Sequence, residues 1–351
     1  MENYKDKNVG RHYVIRSYDN GYKSPMAENL ESYLCFLQSI EDIIQDESIR
    51  ENFRGISVIV HLNHGLRLCR KRENDVDTIH VSAGFLDTCW CYSRIHLVFH
   101  SQFFDKAFKK PVQKIPDCID YYIQRMHWLV DFENNPSQDL WNKLNSWPNN
   151  IPPPPPIKKD CSKCDRFIAS QLMIYSLLFM LVHETIHACR NHGESEIFLE
   201  KEADNEAVDA LYSTKKEDAS WNVSIAQAII ISFGVPLFKA LKMECAVGDK
   251  HPSPIARMDN IIAKHSTGPV LSPDSSQYNP EQDMINRNPI LGEAHVMLTY
   301  LAQIWPEGEK GAMINHKIKE LNKSRRFLDL HDSYFAMANI YAEYLSASAK
   351  K

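Results

Sequence analysis

The first part of the chain changes its hydrophobic period several times. Between residues 21 and 53, apolar positions recur mostly at steps of three and four, which predicts helix. Residues 56–62 are rich in β-branched side chains and precede a turn signal at 63–65, so they predict a strand. Further strands are predicted at 66–70 and 78–82. Together these segments predict a small antiparallel sheet.

Helical periodicity dominates the rest of the chain. It covers residues 84–104 and again 126–144. Beyond residue 157, the predicted helices are 166–192, 196–213, 222–242, 254–265, 290–304 and 312–347. The expected fold class is therefore α+β, mostly helical, with the small sheet packed beside a central helix.

Five consecutive prolines, residues 152–156, interrupt the helical pattern. Proline lacks a backbone donor and clashes inside a helix, so this run is expected to form extended polyproline II. We interpret it as a stiff spacer rather than as a ligand for a proline-binding module. The predicted parts are an N-terminal α/β part at 1–150, a spacer at 151–160 and a helical part at 161–351, which can still form one continuous core.

Composition and charge are those of an ordinary globular protein. The chain is 44% hydrophobic and 24% charged with a net charge of -5, which excludes a disordered chain and argues against a nucleic-acid binder. The N-terminal residues lack the apolar core of a signal peptide, and the longest apolar run, 172–182, is too short to span a bilayer. Nine scattered cysteines favour a reducing compartment. We expect a cytoplasmic protein without membrane insertion.

The strongest chemical signal directly follows the apolar run. The sequence HETIH at 183–187 places His183 and His187 on one face of a helix, where two imidazoles can bind one metal. Glu184 can reach a water on that metal rather than the metal itself, which is the general-base position. The alternative is a surface helix with two unrelated histidines, and the strongly apolar residues before the motif argue against it.

A third ligand is expected in the acidic segment 199–207. Catalytic zinc takes three protein ligands, and the helix stop at 191–193 allows a second helix to fold back. Glu200 is the predicted ligand and Glu202 is its rival. Asp204 shares a helix face with Glu200 and is predicted to orient a ligand histidine. A solvated acidic helix face is the alternative interpretation of this segment.

Several of these segments resemble known zinc metallopeptidases. HETIH followed by EKEAD resembles the HExxH…ExxAD pattern of the HtpX-like and CAAX-processing metallopeptidases, and it is similar to the soluble ImmA/IrrE-type peptidases. Residues 78–86 resemble the strand and helix upstream of the active helix in those families. HPSPIAR at 251–257 resembles their downstream HPxxxxR segment. The soluble layout is most similar to the Lit-type phage-exclusion peptidases, which are bacterial cytoplasmic enzymes.

The resemblance covers residues 77–87 and 176–261 and has implications for fold and activity. It implies a zincin-like fold and cleavage of peptide bonds in an intracellular protein or peptide substrate, with one zinc ion per chain. It also implies that the strand 78–82, which contains Val81, lies at the edge of the cleft and pairs with an extended substrate.

Candidates for contacts with the substrate or transition state lie further along the chain. They are His251, Tyr212 and Arg257. Ser253 can cap the helix that carries Arg257, and Pro254 suits its first position, which would let Arg257 turn back towards the acidic helix.

Two alternatives stay open at this point. Cys161 and Cys164 form a CxxC that would need two more ligands for a second metal site, and Cys89-x-Cys91 is the only upstream pair. The chain could also be a non-catalytic, metal-stabilised helical interaction or sensor protein, for which Glu184 would be dispensable. The substrate, its cleavage site and the oligomeric state are not encoded in any motif of the sequence.

Overall fold

The structure, a computed structural model, describes residues 4–18, 22–107, 116–157, 165–190, 197–212, 219–243, 252–265, 289–304, 309–324 and 330–348. Most of these residues are helical, and one five-stranded sheet accompanies them. The expected class, α+β and mostly helical with a small sheet, is confirmed.

The strands are β1 (Tyr4–Val9), β2 (Tyr13–Tyr18), β3 (Ser57–His61), β4 (Leu68–Glu73) and β5 (Val76–Ser82). The helices are α1 (Pro25–Glu28), α2 (Leu30–Ser39), α3 (Glu47–Gly55), α4 (Ala83–Ala107), α5 (Cys118–Asn134), α6 (Gln138–Leu144), α7 (Asp165–Cys189), α8 (Ile197–Leu211), α9 (Ala219–Met243), α10 (Pro254–His265), α11 (Pro289–Ile304), α12 (Glu309–Ser324) and α13 (Leu330–Ser348).

The chain divides into two compact units, each assembled from separate segments. The first unit contains Met1–Leu97, Ile115–Glu194 and Glu206–Leu211, and the second contains Val98–Lys114, Ser195–Asn205 and Tyr212–Lys351. The chain on both sides of the proline run belongs to the first unit, and the parts expected at 1–150, 151–160 and 161–351 stay a prediction.

The sheet is mixed, so the expectation of an antiparallel sheet is wrong. The strand order is β1-β2-β3-β5-β4, in which the two outer pairs are antiparallel and β3 is parallel to both of its neighbours. Between β2 and β3 the chain passes through α1, α2 and α3, a connection long enough for a parallel crossover. Between β3 and β5 it first forms β4, which pairs on the far side of β5.

β5 is an inner strand of this sheet. Val81 lies opposite Val60 on one side and opposite Leu68 on the other, and its side chain is buried. The expectation that the strand 78–82 presents a free edge to a substrate is therefore wrong, because both of its edges are already paired. β4 occupies the outer position instead.

The predicted helices at 166–192, 196–213, 222–242, 254–265 and 290–304 correspond to α7 to α11 and are confirmed. Of the two other predicted helices, one is interrupted and the other is described in two parts. The one at 126–144 is divided between α5 and α6, because Pro136 interrupts it and the hydroxyl of Ser137 caps α6 by accepting from the backbone N–H of Leu140 at 3.2 Å. The one at 312–347 is described as α12 and α13, and residues 325–329 lie outside the described part of the chain.

The proline segment is fastened to the body of the first unit. Several side chains donate to its carbonyl oxygens, among them Asn29 Nδ2 to Pro154 at 3.0 Å, Tyr33 Oη to Pro155 at 2.8 Å and Tyr122 Oη to Pro152 at 2.8 Å. Extended polyproline forms no internal hydrogen bonds, so these donors satisfy carbonyls that would otherwise need water. The segment is therefore part of the packed unit.

A buried ion pair connects α4 and α5. The side chains of Asp87 and Arg125 are fully buried, and Nη2 of Arg125 lies 2.7 Å from Oδ2 of Asp87. Tyr22 donates its hydroxyl to Asp87 and accepts from Arg125 at 2.9 Å, while the carbonyl of Leu144 accepts from Arg125 at 2.9 Å. The guanidinium also lies 4.6 Å from the ring centre of Trp147. Both charges are thus compensated inside the core.

Two helices are long and apolar enough to cross a membrane. They are Asp165–Cys189, which is α7, and Trp221–Lys242 within α9. However, 72% of the apolar stretch is buried in each of them, as in core helices of soluble proteins. The structure is thus consistent with the expected soluble protein.

Candidate metal centre

Helix α7 places the HETIH motif at the end of a buried apolar helix. Nearly every residue from 172 to 182 is buried, and helices α2 and α3 and strands β4 and β5 all contact this helix. His183 and His187 are buried as well, with 6% and 7% of their surface exposed. Because burying polar rings costs free energy unless they bind something, this is not the surface helix of the alternative interpretation.

The two histidines direct nitrogen atoms towards one another. Their Nε2 atoms are 3.1 Å apart, and their rings are nearly perpendicular, at 79°. Two nitrogen ligands on a tetrahedral zinc ion at about 2.0–2.1 Å each would be about 3.3 Å apart. The observed distance therefore fits two imidazoles that bind the same ion.

A carboxylate completes the group. His183, His187 and Glu200 each offer one ligand atom, and these three atoms lie within 4.8 Å of one another. All three residues are buried. Two imidazole nitrogens and one carboxylate oxygen form a ligand set that catalytic zinc uses, with a fourth position left for water or substrate. Among the described residues, the rival Glu202 does not belong to such a group.

Arg257 holds the acidic helix from the side of α10. Its Nη1 atom lies 3.1 Å from a carboxylate oxygen of Glu200. The prediction that Arg257 turns back towards this helix is confirmed. The predicted roles of Ser253 and Pro254 at the start of its own helix are confirmed as well. The hydroxyl of Ser253 caps α10 by accepting from the backbone N–H of Ala256 at 3.1 Å, and Pro254 is the first residue of the helix.

Asp204 holds the side chain of Arg257 in a two-point ion pair. Its two carboxylate oxygens accept from Nε and Nη2 of Arg257 at 2.7 and 2.6 Å, and its side chain is fully buried. A two-point pair of this kind fixes the plane of the guanidinium. Asp204 therefore orients Arg257, which contacts Glu200. Its predicted role towards a ligand histidine stays a prediction.

Glu184 differs from its neighbours in exposure. It is partly exposed, whereas His183 and Thr185 on either side are buried. Burial and, after it, the negative charge of Glu184 raise the pKa of the Cys69 thiol on β4. The side of β4 that carries Cys69 thus lies within the electrostatic reach of Glu184. The sequence predicted a strand at 66–70, but β4 carries none of the motif residues, so no motif placed it near the HETIH helix.

The remaining candidates are distributed as follows. Val81 is part of the sheet core and exposes no side chain. Burial raises the pKa of the Tyr212 hydroxyl. His251 lies outside the described residues, and so do Cys161 and Cys164.

Comparison with known proteins gives one family. The model of the peptidase U49 family matches residues 79–271, which are 193 of the 351 residues. The matched region contains α7, α8 and α10 and hence His183, His187, Glu200 and Arg257. Searches among curated proteins and among solved structures gave no match.

Proposed function

Since the chain belongs to the peptidase U49 family, we propose that it is a zinc-dependent metallopeptidase that hydrolyses peptide bonds in an intracellular protein. Membership in this family supports the assignment of the chain as a peptidase. The observation that carries the metal dependence is the buried group of His183, His187 and Glu200, which lies inside the matched region. Zinc is favoured because imidazole and carboxylate are ligands that it accepts in a tetrahedral arrangement.

In this proposal, the residues around the metal-binding group have different roles. A bound zinc ion would supply an activated water and polarise the scissile carbonyl. Glu184, beside the first ligand and partly exposed, accepts the proton of the attacking water and passes it to the leaving amine. Arg257 holds the carboxylate of Glu200 in place, and Asp204 holds Arg257.

An extended substrate would bind along β4. This strand is the outer strand of the sheet, it contacts α7, and its Cys69 lies within the electrostatic reach of Glu184. A peptide that adds to an outer strand forms backbone hydrogen bonds without a sequence requirement, while the side chains of the strand provide selectivity. Lys71 and Arg72 are exposed on β4, so acidic residues in the substrate would be favoured there.

The resemblance to the Lit-type phage-exclusion peptidases extends the proposal to cellular context. It supports a bacterial cytoplasmic enzyme that acts on an intracellular protein during phage exclusion. The two apolar helices agree with a soluble enzyme, because 72% of the apolar stretch in each of them is buried.

The proposal that His183, His187 and Glu200 bind zinc can be tested by measuring zinc content. Elemental mass spectrometry is applied to protein prepared without chelator. The double variant His183→Ala/His187→Ala is expected to contain about one zinc ion per chain less than the wild type. His316→Ala is the control, since this histidine is exposed on α12 and should leave the content unchanged. Equal zinc in the double variant and the wild type would contradict the proposed site.

Arg257 provides a second prediction about the same site. Arg257→Ala should lower the affinity for zinc by about 10- to 100-fold, because the carboxylate of Glu200 loses the group that orients it. Arg257→Lys should give an intermediate loss, since lysine keeps the charge but cannot form the two-point pair with Asp204. Competition with a chromophoric chelator measures both, with Lys264→Ala, an exposed position on the same helix, as the control. Unchanged affinity in Arg257→Ala would exclude the positioning role.

A further inference from the structure

A second group of two histidines and a carboxylate involves α4 and α11. His96 and His100 lie one turn apart on α4, and Glu293 lies on α11. Each offers one ligand atom, and the three atoms lie within 4.8 Å of one another. The donor types are those of the first group, yet no residue is shared. Glu293 also lies outside the region matched by the peptidase family.

The contacts between α11 and the last turns of α4 hold this group in place. Nδ1 of His100 is 3.0 Å from Oε2 of Glu293, and the rings of Phe99 and Tyr300 stack with centres 5.0 Å apart. The side chain of Glu293 is only 5% exposed and that of His100 is 21% exposed. A carboxylate this deeply buried needs a cation nearby, which can be an imidazolium or a metal ion.

The group of His96, His100 and Glu293 has both a buried amide and buried apolar residues around it. Gln227 of α9, itself buried, places its amide 3.4 Å from Nδ1 of His100. The neighbours of Glu293 along α11, Leu291 and Ala294, are apolar and buried. A cluster of two imidazoles, a carboxylate and an amide is costly in an apolar core unless its groups are satisfied together. A divalent cation would satisfy both histidines and the carboxylate at once.

We propose that His96, His100 and Glu293 bind a second divalent cation of the zinc type. Imidazole and carboxylate ligands suit zinc and its neighbours in the first transition series rather than calcium or magnesium, which take oxygen ligands. The ion would join α4 to α11, so its role is to stabilise the fold. The proposal is independent of the peptidase mechanism, because it uses neither His183 nor Glu184.

The test is zinc content in four proteins: the wild type, His183→Ala/His187→Ala, Glu293→Gln, and the triple variant that combines them. Glu293→Gln keeps the shape of the side chain and removes the charged ligand. After dialysis against zinc-free buffer, we expect about two, one, one and no zinc ions per chain, respectively. Added zinc should raise the melting temperature of apo His183→Ala/His187→Ala and have no such effect on the triple variant.

His295→Gln is the matched control. His295 lies on the same helix, is equally buried and contacts the hydroxyl of Ser333 at 3.2 Å, so this variant removes a buried histidine without touching the group. Its zinc content should equal that of the wild type. If Glu293→Gln fails to fold, His100→Gln at the partly exposed ligand replaces it.

Three results would overturn the second site. One is a wild-type content of about one zinc ion that disappears in His183→Ala/His187→Ala. Another is a zinc ion that persists in the triple variant, which would belong to other residues such as the Cys161 and Cys164 pair. The third is a melting temperature of the apo double variant that does not respond to zinc. Loss of zinc in Glu293→Gln but not in His183→Ala/His187→Ala would instead contradict the first site and support the second.

Discussion

Glu184→Gln is expected to lower peptide-bond hydrolysis by about 100- to 10,000-fold while the fold and the zinc content stay unchanged. Glutamine has the shape of glutamate but cannot take the proton of the attacking water. Glu184 is partly exposed next to buried ligands, so its replacement removes no core packing. The measurement is cleavage of unfolded protein substrates, followed by mass spectrometry at equal enzyme concentration, together with zinc content and a thermal melt.

Glu202→Gln is the control for this experiment. Glu202 is a partly exposed carboxylate on α8 that belongs to no metal-binding group among the described residues, so activity should be retained. Full activity in Glu184→Gln would show that Glu184 is not the base. Loss of fold in Glu184→Gln, with no cleavage by the wild type, would favour the non-catalytic interpretation of the HETIH helix. Loss of zinc in Glu202→Gln would move the ligand assignment from Glu200 to its rival.

Asp87→Ala is expected to destabilise the first unit by about 3–5 kcal/mol, the usual cost of leaving one partner of a buried ion pair alone. Arg125 would keep a full charge in a fully buried position, and the hydroxyl of Tyr22 would lose its acceptor. The midpoint of urea unfolding measures the effect. Tryptophan fluorescence is a suitable probe because Trp147 stacks on the guanidinium of Arg125.

The double variant Asp87→Leu/Arg125→Met separates charge from packing. It removes both charges and keeps apolar volume, so it should recover much of the stability lost in Asp87→Ala. A midpoint for Asp87→Ala equal to that of the wild type would show that the pair does not contribute to stability. A double variant as unstable as Asp87→Ala would assign the loss to packing instead.

The helices of the second half could be predicted because their cause is local. Apolar residues at a period of 3.6 are visible in any window, and α7 to α11 follow them closely. The strands β1 and β2 could not be found this way. β1 is exposed along nearly its whole length, so its residues show no alternation of apolar and polar positions. The parallel pairing of β2 with β3 depends on the path of the intervening helices, which no short window contains.

The same distinction applies to the site. His183 and His187 are four residues apart, so their meeting follows from helix geometry alone, and Arg257 could be placed because Ser253 fixes the start of its helix. The outer strand of the sheet could not be predicted, because the order of strands in a sheet is a tertiary property. The pair His96 and His100 has the same spacing as the first pair, but its carboxylate is 193 residues from His100 in the chain. Only the folded structure brings it there.

The anchored proline segment also affects the order in which the protein can fold. Its bonds to Asn29 and Tyr33, and the bond that Ser32 donates to the carbonyl of the adjacent Ile157, connect residues that are 122 to 125 positions apart. The β1–β2 and β4–β5 pairs, in contrast, form between strands that are neighbours in the sequence. Local pairs can form while the chain is still being synthesised, but long-range contacts must wait for their partner. During synthesis, helix α2 therefore lacks its contacts with residues 154–157 until residue 157 has left the ribosome. The first unit can be completed only late in the synthesis of the chain.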